Sequence, residues 1–297
     1  TAFVQCIILA TGLVTPFITL MSYNDDIRKS TVIFGDIDAV MALPELSRPE
    51  KSAKTPGNYD IQLTDVSFSY DEKEVLHGVN LTIPQGKVTS IVGPSVSGKS
   101  TIASLIMGRN SIKQGKLTIA GINVSDINED SLFKNINYVG IGSTFFKGTV
   151  RENLLLAAPK ASEEELWNAL AECNIDGFFK DENGLDTLLT ENAGNLSGGQ
   201  KQRLALARAI LHDAKIYIFD EATSNIDIES EELILSKIKK LAETKTVIMI
   251  THRLMNVVDA DRINCMENGR RSNEMVDREI MAIIDKECGI WKLLFSV

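Results

Sequence analysis

The 297-residue chain has only four cysteines, Cys6, Cys173, Cys265 and Cys288, and no two of them form a CxxC pair. Cysteines this sparse exclude a disulfide framework and a cysteine-built zinc site, and they fit a reducing, cytosolic setting for the soluble part. Positive charge is also short: 31 Lys and Arg stand against 40 Asp and Glu, a formal net charge of -9. A surface that coats nucleic acid needs the opposite balance, so no nucleic-acid partner is expected. A phosphate site remains open, because it needs only local donors and a cation. The chain has no internal repeat and no low-complexity tract. No basic residue precedes its first apolar run and no small-residue cleavage site ends it, which argues against a secretory signal. What remains is 44% hydrophobic and 24% charged, a composition that supports a packed core in one large domain or two ordinary ones. The chain opens on Thr1 rather than Met, so a fragment or a processed chain is expected.

Residues 2–21, AFVQCIILATGLVTPFITLM, carry no charge. Their length matches the roughly 20 residues that a helix needs to cross a bilayer. Gln5, Thr11, Thr15, Pro16 and Thr19 interrupt the run, as is tolerated where spanning helices pack on one another. A buried helix of a soluble protein is the alternative. Beyond Met21 the pattern turns amphipathic, with Ile27, Val32, Ile33, Ile37, Val40 and Met41 at helical spacing until Pro44. Arg28 and Lys29 point to a cytoplasmic end, although Asp25 and Asp26 are neighbours. Residues 45–58, rich in Pro, Lys and Ser, read as a linker and set the domain boundary.

The string IVGPSVSGKST at 91–101 follows a β-branched apolar run and precedes a helical one, and it satisfies GxxxxGK[ST] through Gly93, Gly98, Lys99 and Ser100. A glycine-rich turn exposes successive backbone N–H groups, and the helix start adds positive potential. Lys99 then reaches the β- and γ-phosphates of a nucleotide, and the Ser100 hydroxyl serves Mg²⁺.

Ile216, Tyr217, Ile218 and Phe219 form a short continuous apolar run, as expected of a parallel strand covered on both faces. Asp220 and Glu221 follow at once, where the carboxyl end of an α/β strand faces a ligand. Adjacent acids at such a place can divide their labour, one holding Mg²⁺ and the other polarising the attacking water. A second run, Val247 to Ile250, ends in Thr251 and His252.

In NLSGGQKQR at 195–203, Ser197 and Gln200 fit a capping box ahead of the helical run RLALARAIL. Ser197, Gly198 and Gly199 therefore stand at a helix start, a ready anion site. With LSGGQ lying between a phosphate loop and a DE strand, the chain resembles an exporter-type ATP-binding cassette (ABC) transporter subunit over essentially its whole length, most tightly at 61–268. The resemblance implies an α/β P-loop NTPase domain of the ABC type with an inserted helical subdomain, preceded by the end of an all-α transmembrane domain. Tyr70 matches the adenine-stacking aromatic, and Gly93, Pro94, Ser95, Val96, Ser97, Gly98, Lys99, Ser100 and Thr101 match the phosphate loop. Asp220 matches the Mg²⁺-holding acid, Glu221 the catalytic base, Asp227 the loop that crosses the dimer interface, and His252 the switch histidine. Ser197, Gly198, Gly199 and Gln200 match the signature, which in this family binds ATP held by the opposite subunit. The resemblance further implies ATP and Mg²⁺ as ligands, a second ABC subunit in a homodimer or heterodimer, and an unidentified exported substrate. It places the chain in the cell membrane as a multi-pass protein with a cytoplasmic ATPase.

Three departures from the family pattern stand out. Ile141 occupies the place of the usual glutamine and has no oxygen to offer Mg²⁺. Val96 replaces the usual glycine, and a β-branched residue resists positive φ. Past residue 268, RRSNEMVDREIMAI replaces the usual turn, in a place expected to lie away from the chemistry. The domains expected are 1–44 for the last membrane helix and its extension, 45–58 for the linker, and 59–297 for the ATPase. The helical subdomain falls at about 150–213, and the tail from Arg278 reads as one or two helices. A degenerate regulatory subunit and a soluble non-transport ABC ATPase are the alternative readings.

Overall fold

The computed structural model describes residues 2–42, 48–50, 58–140, 143–222, 228–252 and 260–272. Contacts divide the chain into two units, Thr1–Ser47 and Arg48–Val297. The cut falls inside the 45–58 interval.

The first unit is a single helix, α1 (Ala2–Met41), which is 40 residues long. It would measure about 60 Å at 1.5 Å per residue. The uncharged run and the amphipathic run are thus one continuous helix, with Pro16 inside it. Phe3, Phe17, Leu20, Ile33 and Met41 on this helix are exposed. Among the described residues no helix is long and apolar enough to cross a membrane.

The second unit opens with three strands, β1 (Ile61–Tyr70), β2 (Lys73–Ile83) and β3 (Lys87–Val92), followed by α2 (Lys99–Ile106). Strands β4 (Gln114–Ile119) and β5 (Ile122–Asn123), helix α3 (Glu129–Asn135) and strand β6 (Ile136–Gly140) come next. A block dominated by helices then runs through β7 (Gly148–Thr149), α4 (Val150–Leu155), α5 (Glu163–Glu172), α6 (Asp176–Asp181), β8 (Leu188–Leu189) and α7 (Gly198–His212). The chain returns to β9 (Ile216–Asp220), α8 (Ile228–Ala242), β10 (Thr246–Thr251), β11 (Arg262–Glu267) and β12 (Arg270–Arg271).

Strands β2, β1, β4 and β5 form an antiparallel sheet in that order. A six-stranded sheet has the order β12-β11-β3-β10-β9-β6, parallel except for the terminal β11–β12 hairpin. Both faces of this larger sheet are covered. Ile216, Ile218, Ile248 and Ile250 point into a core shared with α2 and the antiparallel sheet. Tyr217, Phe219, Val247 and Met249 point the other way, into a core shared with α5, α7 and α8. Period-two alternation splits each apolar strand between two cores, and each fully buried aliphatic side chain contributes about 1.5–3 kcal/mol.

Arg48, read from sequence as linker, is docked into the domain. It donates to the carbonyls of Val124 (2.8 Å), Ile127 (3.2 Å) and Gly108 (2.5 Å), just past the end of α2. The expected tail helices and most of the linker lie outside the described residues.

Candidate functional site

The phosphate loop bridges β3 and α2, so its backbone runs from the carboxyl end of a buried parallel strand to a helix start. Gly93 (φ 148°) and Gly98 (φ 99°) sit in the region that favours glycine. A Cβ at Gly93 would also collide with the Met266 carbonyl, and one at Gly98 with the Leu76 side chain. Val96 adopts φ 66° and is 87% exposed. The β-branched residue is thus held in the conformation that it resists, at a cost of about 1–3 kcal/mol.

Lys99 is buried, and its Nζ donates to the carbonyls of Gly93 (2.8 Å) and Pro94 (2.7 Å). Ser97 Oγ lies 3.4 Å from the same ammonium. Burial holds the Lys99 ammonium below its ordinary pKa, partly offset by the charges of Glu221 and Asp220. Pro94 and Ser95 are exposed at the crest of the loop, and Thr101 is buried in the first turn of α2.

Next to the phosphate loop lies a turn just ahead of the RRSNEMVDREIMAI segment, most of which lies outside the described residues. Asn268 (φ 48°) and Gly269 (φ 75°) make the tight turn between β11 and β12. Gly269 N donates to the Ser97 carbonyl at 3.3 Å, and His77 N donates to the Gly269 carbonyl at 2.9 Å. Two positive φ values in a two-residue loop are the signature of a primed hairpin turn. This turn braces the outer side of the loop. A cavity of about 480 Å³ lies here, lined by Tyr70, Val96, Lys99, Ser100 and Gly269. Tyr70 is 45% exposed, and Phe68 meets its ring edge-on at 4.8 Å between centroids, which leaves an aromatic surface beside the phosphate loop.

Asp220 ends β9, and Glu221 leaves the strand with φ 52° while its N–H still donates to the Ile250 carbonyl at 2.9 Å. That bond extends the β9–β10 ladder by one residue and aims the two adjacent carboxylates differently. His252 Nδ1 lies 2.9 Å from Glu221 Oε1. Asp220 is 8% exposed, and its Oδ2 accepts from the Tyr138 hydroxyl at 2.9 Å. Sequence reading missed Tyr138.

Ser100, Asp220 and Glu221 line one cleft of about 1130 Å³, together with Tyr138, Arg109 and Arg208. Among the described residues no cluster of three or more His, Cys, Asp or Glu could hold a metal unaided. The donor set of one carboxylate, Asp220, and one hydroxyl, Ser100, on a shared cleft suits Mg²⁺. That ion is commonly held by one or two protein oxygens plus phosphate oxygens and water.

Ser197 is the N-cap of α7. Its Oγ accepts from Gln200 N at 3.2 Å, and Gln200 Oε1 accepts from Ser197 N at 2.9 Å, so both bonds of the expected capping box form. Neither Ser197, Gly198, Gly199 nor Gln200 lines either cavity. Asp227 and Ile141 lie outside the described residues.

A mainly parallel sheet with a phosphate loop after β3, acids at the tip of β9 and a helical insertion defines a P-loop nucleotide-binding domain. The family model described as ABC transporter matches residues 76–224, and the chain belongs to that family and carries its ATPase domain. It is 44% identical over 225 residues to an uncharacterized ABC transporter ATP-binding protein of Haemophilus influenzae, covering 75% of this chain and 40% of that protein. It is 35% identical over 256 residues to an ATP-dependent lipid A-core flippase of Desulfotalea psychrophila, covering 86% and 44% of the two. Among solved structures, a bacterial Atm1-family ABC exporter with ATP bound superposes with a TM-score of 0.79 at 29% identity, covering 91% of this chain and 48% of that one. The chain thus spans less than half the length of these relatives.

Proposed function

We propose that this chain is the ATP-binding and ATP-hydrolysing part of an exporter subunit, in which closure of two cassettes on ATP drives movement of a substrate across a membrane. The observation that carries this reading is a separation within one chain. Ser100, Asp220 and Glu221 share a cleft, with Lys99 in the cavity beside it, whereas the signature residues Ser197 to Gln200 line neither space. A helix start equipped for anions that lines neither space beside its own phosphate loop is explained if it serves the site of a second copy or a related subunit.

In this reading adenine stacks on Tyr70, and the triphosphate lies along the backbone of Gly93 to Thr101. The Lys99 ammonium exchanges its bonds to the Gly93 and Pro94 carbonyls for phosphate oxygens. Ser100 and Asp220 would hold Mg²⁺, which would supply positive charge beside the phosphates. Glu221 accepts a proton from the attacking water, and His252, hydrogen-bonded to Glu221 in this structure, orients that carboxylate and the γ-phosphate. ATP binds the closed pair better than the open one, and that difference in affinity is the driving force.

The uncharged run at 2–21 and its exposed apolar side chains support placing α1 within a membrane domain, with the rest of the helix carrying motion to the ATPase. Relatives from Desulfotalea psychrophila and Haemophilus influenzae are ATP-dependent lipid A-core flippases.

Mixing two inactive variants tests the reading. Lys99→Ala disables a phosphate loop, and Ser197→Arg disables a signature. Each homodimer then lacks a complete site, but a mixed dimer has one intact site. Recovery of nucleotide retention on mixing is expected. If none appears, and each variant alone loses only its own share of ATP binding as a monomer, the shared-site reading is overturned.

A second reading, a regulatory subunit that binds ATP without turning it over, draws on the strained Val96. No turnover by the purified chain, with turnover restored by Ile141→Gln or by a mate subunit, would favour it.

A further inference from the structure

Two residues before the end of β6, Tyr138 reaches across the sheet to the acid at the end of β9. The strands run parallel with Tyr138 opposite Ile218 and Gly140 opposite Asp220, so the tyrosine and the acid are diagonal neighbours. The Tyr138 hydroxyl donates to Asp220 Oδ2 at 2.9 Å. We propose that Tyr138 is a positioning residue for the Asp220 carboxylate: it engages one carboxylate oxygen, fixes the side-chain rotamer, and leaves the other oxygen for the divalent cation that accompanies ATP. The proposal rests on the reading of Asp220 as the metal-holding acid.

Two further features hold the ring in place. The Arg109 guanidinium lies over the Tyr138 ring, 5.6 Å from its centroid, in the range of a cation–π contact. Gly140 makes room for it. A Cβ on Gly140 would stand 2.9 Å from Tyr138 Cε1 and 3.0 Å from its hydroxyl oxygen. Gly140 does not have positive φ, so its backbone does not require glycine. The missing side chain is explained by the space that the tyrosine needs. Groups hydrogen-bonded to a metal-holding carboxylate set its orientation and basicity.

The test is a Mn²⁺ titration, read by electron paramagnetic resonance, of the whole 297-residue chain with a non-hydrolysable ATP analogue. Tyr138→Phe keeps the ring and removes the hydroxyl. Gly140→Ala keeps every polar group and displaces the ring. Both are expected to weaken Mn²⁺ binding by roughly tenfold, with metal-free nucleotide affinity unchanged. Combined, the two are expected to weaken it little more than either alone, because they remove the same contact. In turnover the apparent KM for Mg²⁺ rises while the KM for ATP holds. Mn²⁺ affinity that is unchanged or tighter in Tyr138→Phe, with Asp220→Asn having lost the ion, overturns the role given to Tyr138. Unchanged affinity in Asp220→Asn itself overturns the metal reading of Asp220, and the proposal with it.

Discussion

Nδ1 of His252 lies 2.9 Å from Oε1 of Glu221, and the two residues stand at the carboxyl ends of adjacent parallel strands. Glu221 is turned toward the histidine by a left-handed backbone (φ 52°), while its amide keeps the ladder bond to Ile250. Such strain persists only where the surrounding structure over-determines it, and here two ladders and a side-chain contact do so.

Replacing Glu221 by Gln removes the proton acceptor and leaves the shape. ATP binding is expected to survive, turnover to fall roughly a hundred- to ten-thousandfold, and an ATP-held dimer to accumulate. Single-turnover kinetics and size-exclusion chromatography read the two effects separately. Hydrolysis at the parent rate would remove Glu221 from the base role.

Val96→Gly relieves a β-branched residue held at φ 66°. The gain is partly offset by the greater freedom of glycine in the unfolded chain, about 0.5–1 kcal/mol. A net stabilisation of about 1 kcal/mol is expected in urea denaturation. Tighter ATP binding should accompany it, since the loop then takes up the phosphate-binding conformation without strain. Destabilisation would mean that the Val96 side chain makes a contact worth more than its strain.

Arg48→Ala removes one guanidinium from three carbonyls, those of Gly108, Val124 and Ile127. A loss of about 1–3 kcal/mol is expected, because bonds to a charged donor are disrupted at a partly buried place. Arg48→Lys should recover only part of it, since an ammonium lacks the planar fork. Chemical denaturation of both variants checks the order.

Alkaline pH provides a separate probe of Tyr138. Its pKa is raised in the fold to about 12, mainly by burial and then by Asp220. The unfolded chain therefore releases this proton first. The contribution to stability is complete below pH about 10, the ordinary tyrosine value, and is lost as pH rises toward 12. Tyr138→Phe should lose less stability across that window than the parent chain, measured by denaturation at each pH. Equal losses in both would show that the phenol titrates normally.

Much of the nucleotide site was legible because it is built from contiguous residues. Gly93 to Thr101 carry their geometry in their own order: a strand, a turn needing glycine, and a helix start. The capping box of Ser197 and Gln200 is equally local, and both of its bonds form. The apolar runs at 216–219 and 247–250 disclosed strands buried on both faces, as the two cores confirm. Tyr138 gave no such sign, because its relation to Asp220 exists only through the β6–β9 pairing of segments 82 residues apart. The Asn268–Gly269 turn gave no sign either, for the same reason: its place against Ser97 follows from β11 lying beside β3.

By itself, then, the amino-acid order determined the local conformations: which residues form the phosphate loop, where α7 is capped and which strands are wholly apolar. These depend on backbone φ, hydrogen bonds within a few residues and side-chain periodicity, all of which short segments contain. Only the tertiary structure decided that Arg48 clamps the end of α2, that a hairpin turn braces the loop, and that a tyrosine holds the acid of β9. Those contacts depend on strand order and register, which are set by how two cores are filled at once by side chains from the whole domain.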